Sequence, residues 1–502
     1  MRNEERTTAM SPGIARRAAL GVVVGGAASA LALGAGGTAA HAATTLTSVG
    51  SFAALAALPI TSPMEPVVVL GRAAIGDGGE GVFIWDAAAA ASSADGGTRL
   101  ASTASATGVW RRQTDGDDRM SARWFGVKAD GSADDTTAFQ SAVNAAVRAG
   151  AVLMAPAGTI RITSSVTVPA VGTSRRLFIQ GAGQVQTRFR LSASGRFDFD
   201  LGVSSEWDNG HLVLRDFSVL CDSAETITAV TARFARVSGA TAQTSIIENV
   251  EVVGVSDTTG PKVAFHLVDA SALRFRGARI QGRRSGGGSD TVGVLLSGGS
   301  IPVEIYLSEI NVYFMNTAFL VDGTADRRLE GVHLDKCAAV ACAYGVTANA
   351  APTDQSLWIK VSQSHFNCTK GGISTSNYGN ILFTGNLIYG LPAGGASVAF
   401  LAVSVSNGGG SGVGHLSMIA DNIIEYAGST TAAKNGILIA GGASEDSILI
   451  SNNILAFFDT AIWLAPTANR VAIAATNMFK SNTTPTLNQG SNNVVAPALV
   501  TW

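Results

Sequence analysis

The chain has 502 residues, of which 46% are hydrophobic and 14% are charged, and its 58 Gly far outnumber its 13 Pro. This balance is typical of short strands separated by turns and does not fit a helical bundle. The chain has 35 Lys and Arg residues and 37 Asp and Glu residues, which gives a formal net charge of −2. Without a basic excess, the sequence predicts no nucleic-acid partner.

Residues 1–43 have the features of an export signal that is removed from the mature protein. Arg16-Arg17 precede an apolar run from Ala18 to Gly37, and Ala40-His41-Ala42 is similar to a cleavage site. The Arg pair resembles a twin-arginine signal. An N-terminal membrane anchor is the alternative interpretation. We expect a secreted, extracellular bacterial protein with no stable membrane insertion after signal removal, because no other stretch approaches ~20 apolar residues.

Residues 44–118 are predicted to form a small β-rich N-terminal module. The stretches 67–87 and 108–116 have the pattern of short strands around Gly turns, and the Ala-, Ser- and Gly-rich residues between them are predicted to form a loop.

An amphipathic helix is predicted next, within WFGVKADGSADDTTAFQSAVNAA (124–146). Asp134 is placed to cap its N-terminus, and the charge of Asp135 favours the helix dipole. Gly150 is predicted to end the helix. Together with Asp130, the two aspartates could also be read as a metal cluster, but turn and capping chemistry need the same residues. One apolar face is formed by Phe139, Ala142, Val143, Ala146 and Val147.

This segment, followed by VLMAPAGTIRITSSVTVP (152–169) and LFIQGAGQVQT (177–187), resembles the opening of the pectate-lyase-like superfamily, which includes rhamnogalacturonase/epimerase-like and tailspike-like proteins. Residues 44–118 resemble the module that precedes the helix domain in tailspike-like proteins. The resemblance implies an all-β fold: a right-handed parallel β-helix solenoid over 119–492, with an N-terminal capping helix and a C-terminal cap at 493–502. It also implies action on a polysaccharide, and a homotrimer is one oligomeric state found among such proteins.

From about Gly210 the chain repeats with a period of roughly 22–33 residues, as solenoids do. The first and sixth positions of each six-residue segment are apolar and are predicted to point inward. The ten segments are LRDFSV (214–219), IENVEV (247–252), FRGARI (275–280), LSEINV (307–312), LEGVHL (329–334), VSQSHF (361–366), FTGNLI (383–388), IADNII (419–424), ISNNIL (450–455) and AATNMF (474–479).

The fourth position holds Asn in four successive segments, at Asn386, Asn422, Asn453 and Asn477. This register predicts a ladder of stacked amides that hydrogen-bond one another inside a turn. The ladder is structural and is not counted as a site.

The third, fifth and seventh positions of the middle segments concentrate polar, aromatic and ionisable residues on one predicted groove, which suits an extended sugar chain. The catalytic candidates are His333, His365, Arg279, Tyr389 and Asp335. The substrate-binding candidates are Asn311, Tyr313, Glu309, Gln363, Asn367, Asp421 and Glu425.

Two chemistries compete for this groove. For β-elimination on a uronic-acid polymer, His333 and His365 are predicted to lie in adjacent coils, with His as the base, Arg279 binding the substrate carboxylate and Tyr exchanging the proton. Hydrolysis needs two nearby carboxyl groups, and the alignment puts Glu309 and Asp335 roughly 14 Å apart. We therefore favour a polysaccharide lyase, with a glycoside hydrolase or fructan-transforming enzyme, or a non-catalytic glycan-binding surface protein, as alternatives. No cofactor is predicted, since no acidic cluster supports a calcium ion.

Four cysteines are present, namely Cys221, Cys337, Cys342 and Cys368. In so long a chain we expect buried thiols rather than a disulfide framework. A single bridge, Cys337–Cys368 or Cys342–Cys368, stays open as an alternative.

Overall fold

The computed structural model describes residues 47–61, 64–114, 116, 118–170, 175–202, 210–234, 244–286, 288–298, 304–323, 329, 331–350, 357–391, 399–406, 416–428, 432–441, 447–497 and 500–501. The predicted export signal at 1–43 lies outside the described residues. Within the described ranges, no helix combines the length and hydrophobicity needed to cross a bilayer.

The N-terminal region forms a small five-stranded sheet. Its elements are β1 (Thr47–Val49), α1 (Phe52–Ala56), β2 (Val67–Val69), β3 (Gly81–Asp86), β4 (Arg99–Ala101) and β5 (Val109–Arg112), in the sheet order β1-β2-β3-β5-β4. Phe83 and Trp110 are fully buried in its core. The buried guanidinium of Arg112 donates to the carbonyl oxygens of Gly79 and Glu80 at 2.8 and 2.7 Å, which satisfies a charge that would otherwise be costly to bury.

Next come β6 (Arg119–Ser121), β7 (Asp130–Asp134) and the predicted helix, α2 (Thr136–Ala149). The N-cap residue is Asp135 and not Asp134 as predicted, but the Asp134 carboxylate still accepts hydrogen bonds from the backbone N–H and the hydroxyl of Thr136 at 3.0 and 2.6 Å. The Asp135 carboxylate instead accepts the backbone N–H groups of Lys128 and Ala129. All five residues of the predicted apolar face are buried, and the helix ends at Gly150 in a left-handed conformation with φ 66°.

The remaining chain winds into short strands. The first half contains β8 (Val152–Met154), β9 (Gly158–Ile162), β10 (Ser165–Thr167), β11 (Arg176–Gln180), β12 (Thr187–Leu191), β13 (Arg196–Asp200), β14 (His211–Cys221), β15 (Thr228–Arg233), β16 (Ser245–Gly254), β17 (Val263–Val268), β18 (Leu273–Arg276), β19 (Arg279–Gln281), β20 (Val292–Ser297), β21 (Ile305–Ser308), β22 (Asn311–Tyr313), β23 (Thr317–Gly323) and β24 (Val332–Asp335). The second half contains β25 (Ala338–Ala350), β26 (Trp358–Ser362), β27 (His365–Ser376), β28 (Asn380–Thr384), β29 (Leu387–Gly390), β30 (Phe400–Ser406), β31 (Leu416–Ala420), β32 (Ile423–Tyr426), β33 (Lys434–Ala440), β34 (Ser447–Ser451), β35 (Ile454–Ala456), β36 (Thr460–Leu464), β37 (Val471–Ile473), β38 (Met478–Lys480), β39 (Thr484–Asn488), β40 (Val494–Val495) and β41 (Val500–Thr501).

These strands stack in parallel as three sheets, so the predicted parallel β-helix is confirmed. The first sheet runs through β8, β11, the start of β14 and of β16, then β18, β21, β24, β26, β28, β31, β34 and β37. The second sheet includes the end of β14 and of β16, then β19, β22, the start of β25 and of β27, then β29, β32, β35 and β38. The third sheet includes β15, β17, β20, β23, the end of β25 and of β27, then β30, β33, β36 and β39.

A turn joins the first and second sheets of a coil, and in four successive coils this turn contains the predicted asparagine ladder. Asn386 Nδ2 donates to Asn422 Oδ1 at 3.0 Å, Asn422 Nδ2 to Asn453 Oδ1 at 2.9 Å, and Asn453 Nδ2 to Asn477 Oδ1 at 3.0 Å. The four side chains are buried. Each amide thereby satisfies backbone groups that the turn would otherwise leave unpaired.

The register corrects two of the ten segments, the fifth and the last. Leu307 pairs with Leu334, and Leu334 pairs with Val361, so the fifth coil contributes LDKCAA (334–339) in place of LEGVHL (329–334). Cys337 therefore occupies the ladder position, and its backbone N–H donates to Ser364 Oγ at 3.1 Å. The alignment starts the last segment one residue late, because Ile450 pairs with Ile473 and not with Ala474.

All four cysteines are buried free thiols, as expected, and neither of the bridges left open forms in this structure. Burial raises the pKa of the Cys221, Cys337 and Cys342 thiols to about 12.

Candidate functional site

The outer surface of the first sheet carries a continuous row of polar and aromatic side chains. Arg274, Tyr306, His333 and Lys360 are successive register partners on β18, β21, β24 and β26. Each lies between two buried residues of its strand, and the period of two directs it outward. We call this row, with the adjacent Glu304 and Trp358, the first-sheet site.

His333 is packed between two aromatic rings. Its imidazole stacks on Tyr306, with centroids 4.5 Å apart and planes 17° apart, and meets the edge of Trp358 at 4.6 Å. Its Nε2 is buried and lies 3.6 Å from Glu304 Oε2, beyond hydrogen-bond distance. Burial lowers the pKa of His333, although Glu304 acts in the opposite direction, so the imidazole is neutral at neutral pH.

Tyr306, whose ring stacks on that imidazole, carries a hydroxyl that can supply a proton. Its hydroxyl donates to Glu304 Oε2 at 2.6 Å. That hydrogen bond is the main reason that the pKa of Tyr306 is raised, so the phenol keeps its proton at neutral pH. A neutral imidazole and a protonated phenol therefore lie side by side on one surface.

A cation-lined depression of about 520 Å³ adjoins Tyr306, and it is lined by Arg215, Ile246, Arg274, Arg276, Tyr306 and Ser308. Glu248 pairs with Arg215 at 3.2 Å and with Arg276 at 2.5 Å. Arg274 is an exposed residue, and it has no ion pair with a carboxylate among the described residues. It is therefore available to bind an anionic group bidentately.

The structure separates the two histidines that were predicted to be vertical neighbours. His333 lies on the first sheet, whereas His365 lies on the second sheet between Ala338 and Leu387. The prediction was wrong because the fifth segment was misaligned. The misalignment assigned the residues of β24 to the second sheet, whereas the structure places them in the first. Asp335 lies on the same strand as His333, and its register partners are Ser308 and Ser362. Its Oδ1 accepts a hydrogen bond from the Ser362 hydroxyl at 2.8 Å.

The other fifth- and seventh-position candidates do lie on the outer surface of the second sheet. Arg279 is the register partner of Asn311, and Arg279 is held by Glu251 and Gln281, both at 2.6 Å. Tyr313 is followed by Val340, and then Asn367, Tyr389 and Glu425 are successive partners. Ala338 and Leu387 flank His365, so neither direct register neighbour of this histidine is ionisable.

The three candidates from the third position lie in the turn and have a backbone role. Glu309, Gln363 and Asp421 have φ of 56°, 50° and 59°, and the equivalent residues of other coils are also left-handed. Asp, Asn and Gly are favoured there because they tolerate this conformation.

Glu309 and Asp335 are also closer than predicted. The Glu309 N–H donates to the Asp335 carbonyl at 3.1 Å, so these residues lie side by side in neighbouring coils and not roughly 14 Å apart. The predicted separation of Glu309 and Asp335 was wrong for the same reason as the predicted position of His333: the fifth segment was misaligned.

Sequence reasoning missed Arg274, Glu304, Tyr306, Trp358 and Lys360. The available signal was the alternation in LRFR, IYLS, VHLD and WIKVS, in which polar or aromatic residues occupy every second position directly before the turn. These positions lie largely before the six-residue repeat, so the repeat does not reveal them. The described residues contain no group of three or more His, Cys, Asp or Glu side chains arranged to hold a metal ion.

The architecture defines the protein as a parallel β-helix with a β-rich N-terminal module. Residues 120–278 match the family described as rhamnogalacturonase A/epimerase, pectate lyase-like, and residues 48–115 match the phage tail protein small four-stranded beta-sheet domain. The resemblance to the pectate-lyase-like superfamily is therefore confirmed. No curated protein matches the sequence.

Solved structures are similar to this chain at low identity. The pre-mature gene product 12 of bacteriophage phi29 is similar at a TM-score of 0.50 and 14% identity, over 76% of this chain and 56% of that chain. The Acinetobacter phage vB_ApiP_P1 tailspike gives 0.46 and 15%, over 90% and 71%. The A-module of the Azotobacter vinelandii mannuronan C-5 epimerase AlgE4 gives 0.44 and 15%, over 75% and 99%. At 14% identity, the similarity to gene product 12 concerns the fold alone.

Proposed function

We propose that this protein is an exported polysaccharide lyase that cleaves a uronic-acid-containing polymer by β-elimination at the first-sheet site. The observation that carries the proposal is the neutral His333 stacked on a protonated Tyr306, beside Arg274, which has no carboxylate partner among the described residues. The family matched by residues 120–278 supports a carbohydrate substrate.

Each step of the elimination has a group to perform it. Arg274 binds the uronate carboxylate and stabilises the charge that develops when the C5 proton leaves. Glu304, beside Nε2, favours the tautomer with the proton on that nitrogen, which leaves Nδ1 to take the C5 proton. The electron pair of the C5–H bond forms the C4–C5 double bond, the C4–O4 bond breaks, and the Tyr306 hydroxyl protonates the leaving oxygen.

The proposal is tested on a panel of uronate and neutral polysaccharides, read by the ultraviolet absorbance of unsaturated product and by mass. The double variant Arg274→Ala/Arg276→Ala should lose most of the activity. The surface variant Arg196→Ala, which removes an exposed Arg of the third sheet, is the control. New reducing ends without unsaturated product would reject the lyase reaction.

A glycoside hydrolase is the second candidate, because the backbones of Glu309 and Asp335 are hydrogen-bonded to each other across neighbouring coils. Two neighbouring carboxyl groups are what a hydrolase needs. Glu309→Gln and Asp335→Asn should abolish release of reducing sugar if this pair is catalytic, and should leave the yield of unsaturated product unchanged if the lyase proposal holds. A non-catalytic glycan-binding protein would bind the polymer and yield neither product.

We also propose self-association, with a homotrimer as the expected state. The outer surface of the second sheet becomes apolar in its last coils, where Leu387, Ile423, Ile454 and Met478 are successive partners. Leu387 and Ile423 are 37% and 45% exposed, and a second copy of the same surface would cover them. Light scattering of wild type and Ile423→Lys measures this: a trimer that dissociates in the variant supports it, and a monomeric wild type contradicts it.

Export is proposed from the Arg16-Arg17 and Ala40-His41-Ala42 pattern alone. N-terminal sequencing of the protein recovered from the medium of an expressing bacterium tests it. A mature start at Ala43 supports the proposal, and a cell-retained chain that keeps residues 1–43 contradicts it.

A further inference from the structure

A second cavity lies at the corner between the second and third sheets, away from the first-sheet site. Its volume is about 420 Å³. Its floor consists of short turns of three successive coils that include Phe314–Asn316, Ala341–Ala343 and Thr369–Lys370, and its wall is a longer connection from β19 to β20 that contributes Arg283 and Arg284.

The wall is held in place by a buried carboxylate. Glu225, whose side chain is 8% exposed, accepts the Gly288 N–H at 2.9 Å and pairs with Arg283 at 3.3 Å. Arg283 Nε also donates to the Gly286 carbonyl at 2.8 Å. The cavity is therefore formed before any ligand arrives, which lowers the entropic cost of binding.

Two cationic groups in the cavity are not neutralised in this way. Lys370 Nζ lies 5.8 Å from the centre of the Tyr344 ring and has no ion pair among the described residues. The Arg284 guanidinium lies 5.6 Å from the centre of the Phe314 ring, and its carboxylate partner Asp257 is 3.7 Å away on an exposed surface. Such an exposed pair is weak, so an anion can displace it.

We infer that this cavity is a second, non-catalytic binding site for a sugar that carries an oxyanion, either a carboxylate or a sulfate. Arg284 and Lys370 would hold the oxyanion, Asn316 and Thr369 offer hydrogen-bonding groups for hydroxyls, and the alanine floor matches the apolar face of a sugar ring. The site binds whether or not the first-sheet site is catalytic.

Isothermal titration of the whole protein tests this, with three tetrasaccharide probes: a uronate, a sulfated neutral sugar and the unmodified neutral sugar. The test variant is Arg284→Ala/Lys370→Ala. Its control is Arg196→Ala/Lys480→Ala, which removes the same charge from exposed positions; Lys480 lies 5.7 Å from the Phe457 ring centre without lining this cavity. A third variant, Arg274→Ala/Arg276→Ala, removes the anion-binding groups of the first-sheet site.

The Arg284→Ala/Lys370→Ala variant should weaken binding of an anionic probe at one site by at least about tenfold, while the control stays within about twofold. Binding at the cavity should persist in Arg274→Ala/Arg276→Ala, which separates this inference from the lyase proposal. The anionic probe that binds identifies carboxylate, sulfate or both as the ligand. The inference is overturned if neither anionic probe binds, if the neutral probe binds as tightly, or if Arg284→Ala/Lys370→Ala binds like the control.

Discussion

The imidazole of His333 lies face to face on the Tyr306 ring, with 4.5 Å between the centroids. The two residues belong to different coils and meet because β21 and β24 are register partners. The stack brings a base and an acid to the same side of the first sheet, and the predictions for activity follow from it.

Removing the imidazole should abolish the proposed elimination. His333→Gln is expected to lower kcat by about 10²–10⁴-fold, the usual contribution of a positioned base. His365→Gln is the matched control and should stay close to wild type, since His365 lies on the second sheet between Ala338 and Leu387. Initial rates of unsaturated product formation measure both; equal losses in the two variants would exclude His333 as the base.

Removing only the hydroxyl of Tyr306 should separate proton donation from packing. Tyr306→Phe keeps a ring to stack on His333 but deletes the group that donates to Glu304 at 2.6 Å. We expect kcat to fall by about a hundredfold with KM changed little. Single-turnover kinetics check this, and an unchanged kcat would remove Tyr306 from the reaction.

The pH dependence of kcat/KM should show the influence of Glu304 on the pKa of His333 and of Tyr306. Burial lowers the pKa of His333, so the acid limb of kcat/KM should lie below the ordinary imidazole value of about 6.5. The Glu304 carboxylate raises the pKa of both His333 and Tyr306. Glu304→Gln should therefore shift the acid limb and the alkaline limb to lower pH together. Limbs that move in opposite directions, or stay fixed, would contradict this arrangement.

The stereochemistry of the substrate should follow from the shared side of base and acid. If His333 takes the C5 proton and Tyr306 protonates O4 from one surface, both groups leave the same side of the sugar ring. Glucuronate and mannuronate polymers meet that condition, whereas a galacturonate polymer carries the two groups on opposite sides. Comparing kcat/KM on these three polymers checks the expectation, and a galacturonate preference would argue against this pair.

The asparagine ladder should be costly to interrupt. Asn422 Oδ1 accepts from the Asn386 N–H and Nδ2, each at 3.0 Å, and Asn422 Nδ2 donates to the Phe383 carbonyl at 3.0 Å. Asn422→Ala leaves these buried groups unpaired, so we expect a loss of about 3–5 kcal/mol in the free energy of unfolding. The exposed Asn311→Ala should cost less than about 0.5 kcal/mol. Denaturant unfolding compares the two variants.

Much of the fold could be predicted because it depends on short-range pattern. The helix from Thr136 was recognisable from its apolar spacing and from Gly150, which satisfies its C-terminus in a left-handed conformation. The ladder was recognisable since a buried amide has few uses other than pairing with its neighbours above and below.

The position of the fifth coil could not be read in the same way. Both LEGVHL and LDKCAA place an apolar residue first, and Gly331 is a more usual residue for the left-handed third position than Lys336. The structure shows both residues with positive φ, of 72° and 53°. The local pattern thus favoured the wrong turn, and His333 and Asp335 were assigned to the wrong sheet.

By itself, the amino-acid sequence determined that the chain coils, which residues point inward and where amides stack, because each depends on neighbours within one coil or on a strict repeat. Only the tertiary structure decided which outward side chains meet. Coils differ in length, so the pairing of Tyr306 with His333 depends on where the intervening loops begin and end. A shift of a few residues within one coil moves a side chain from one sheet to the next.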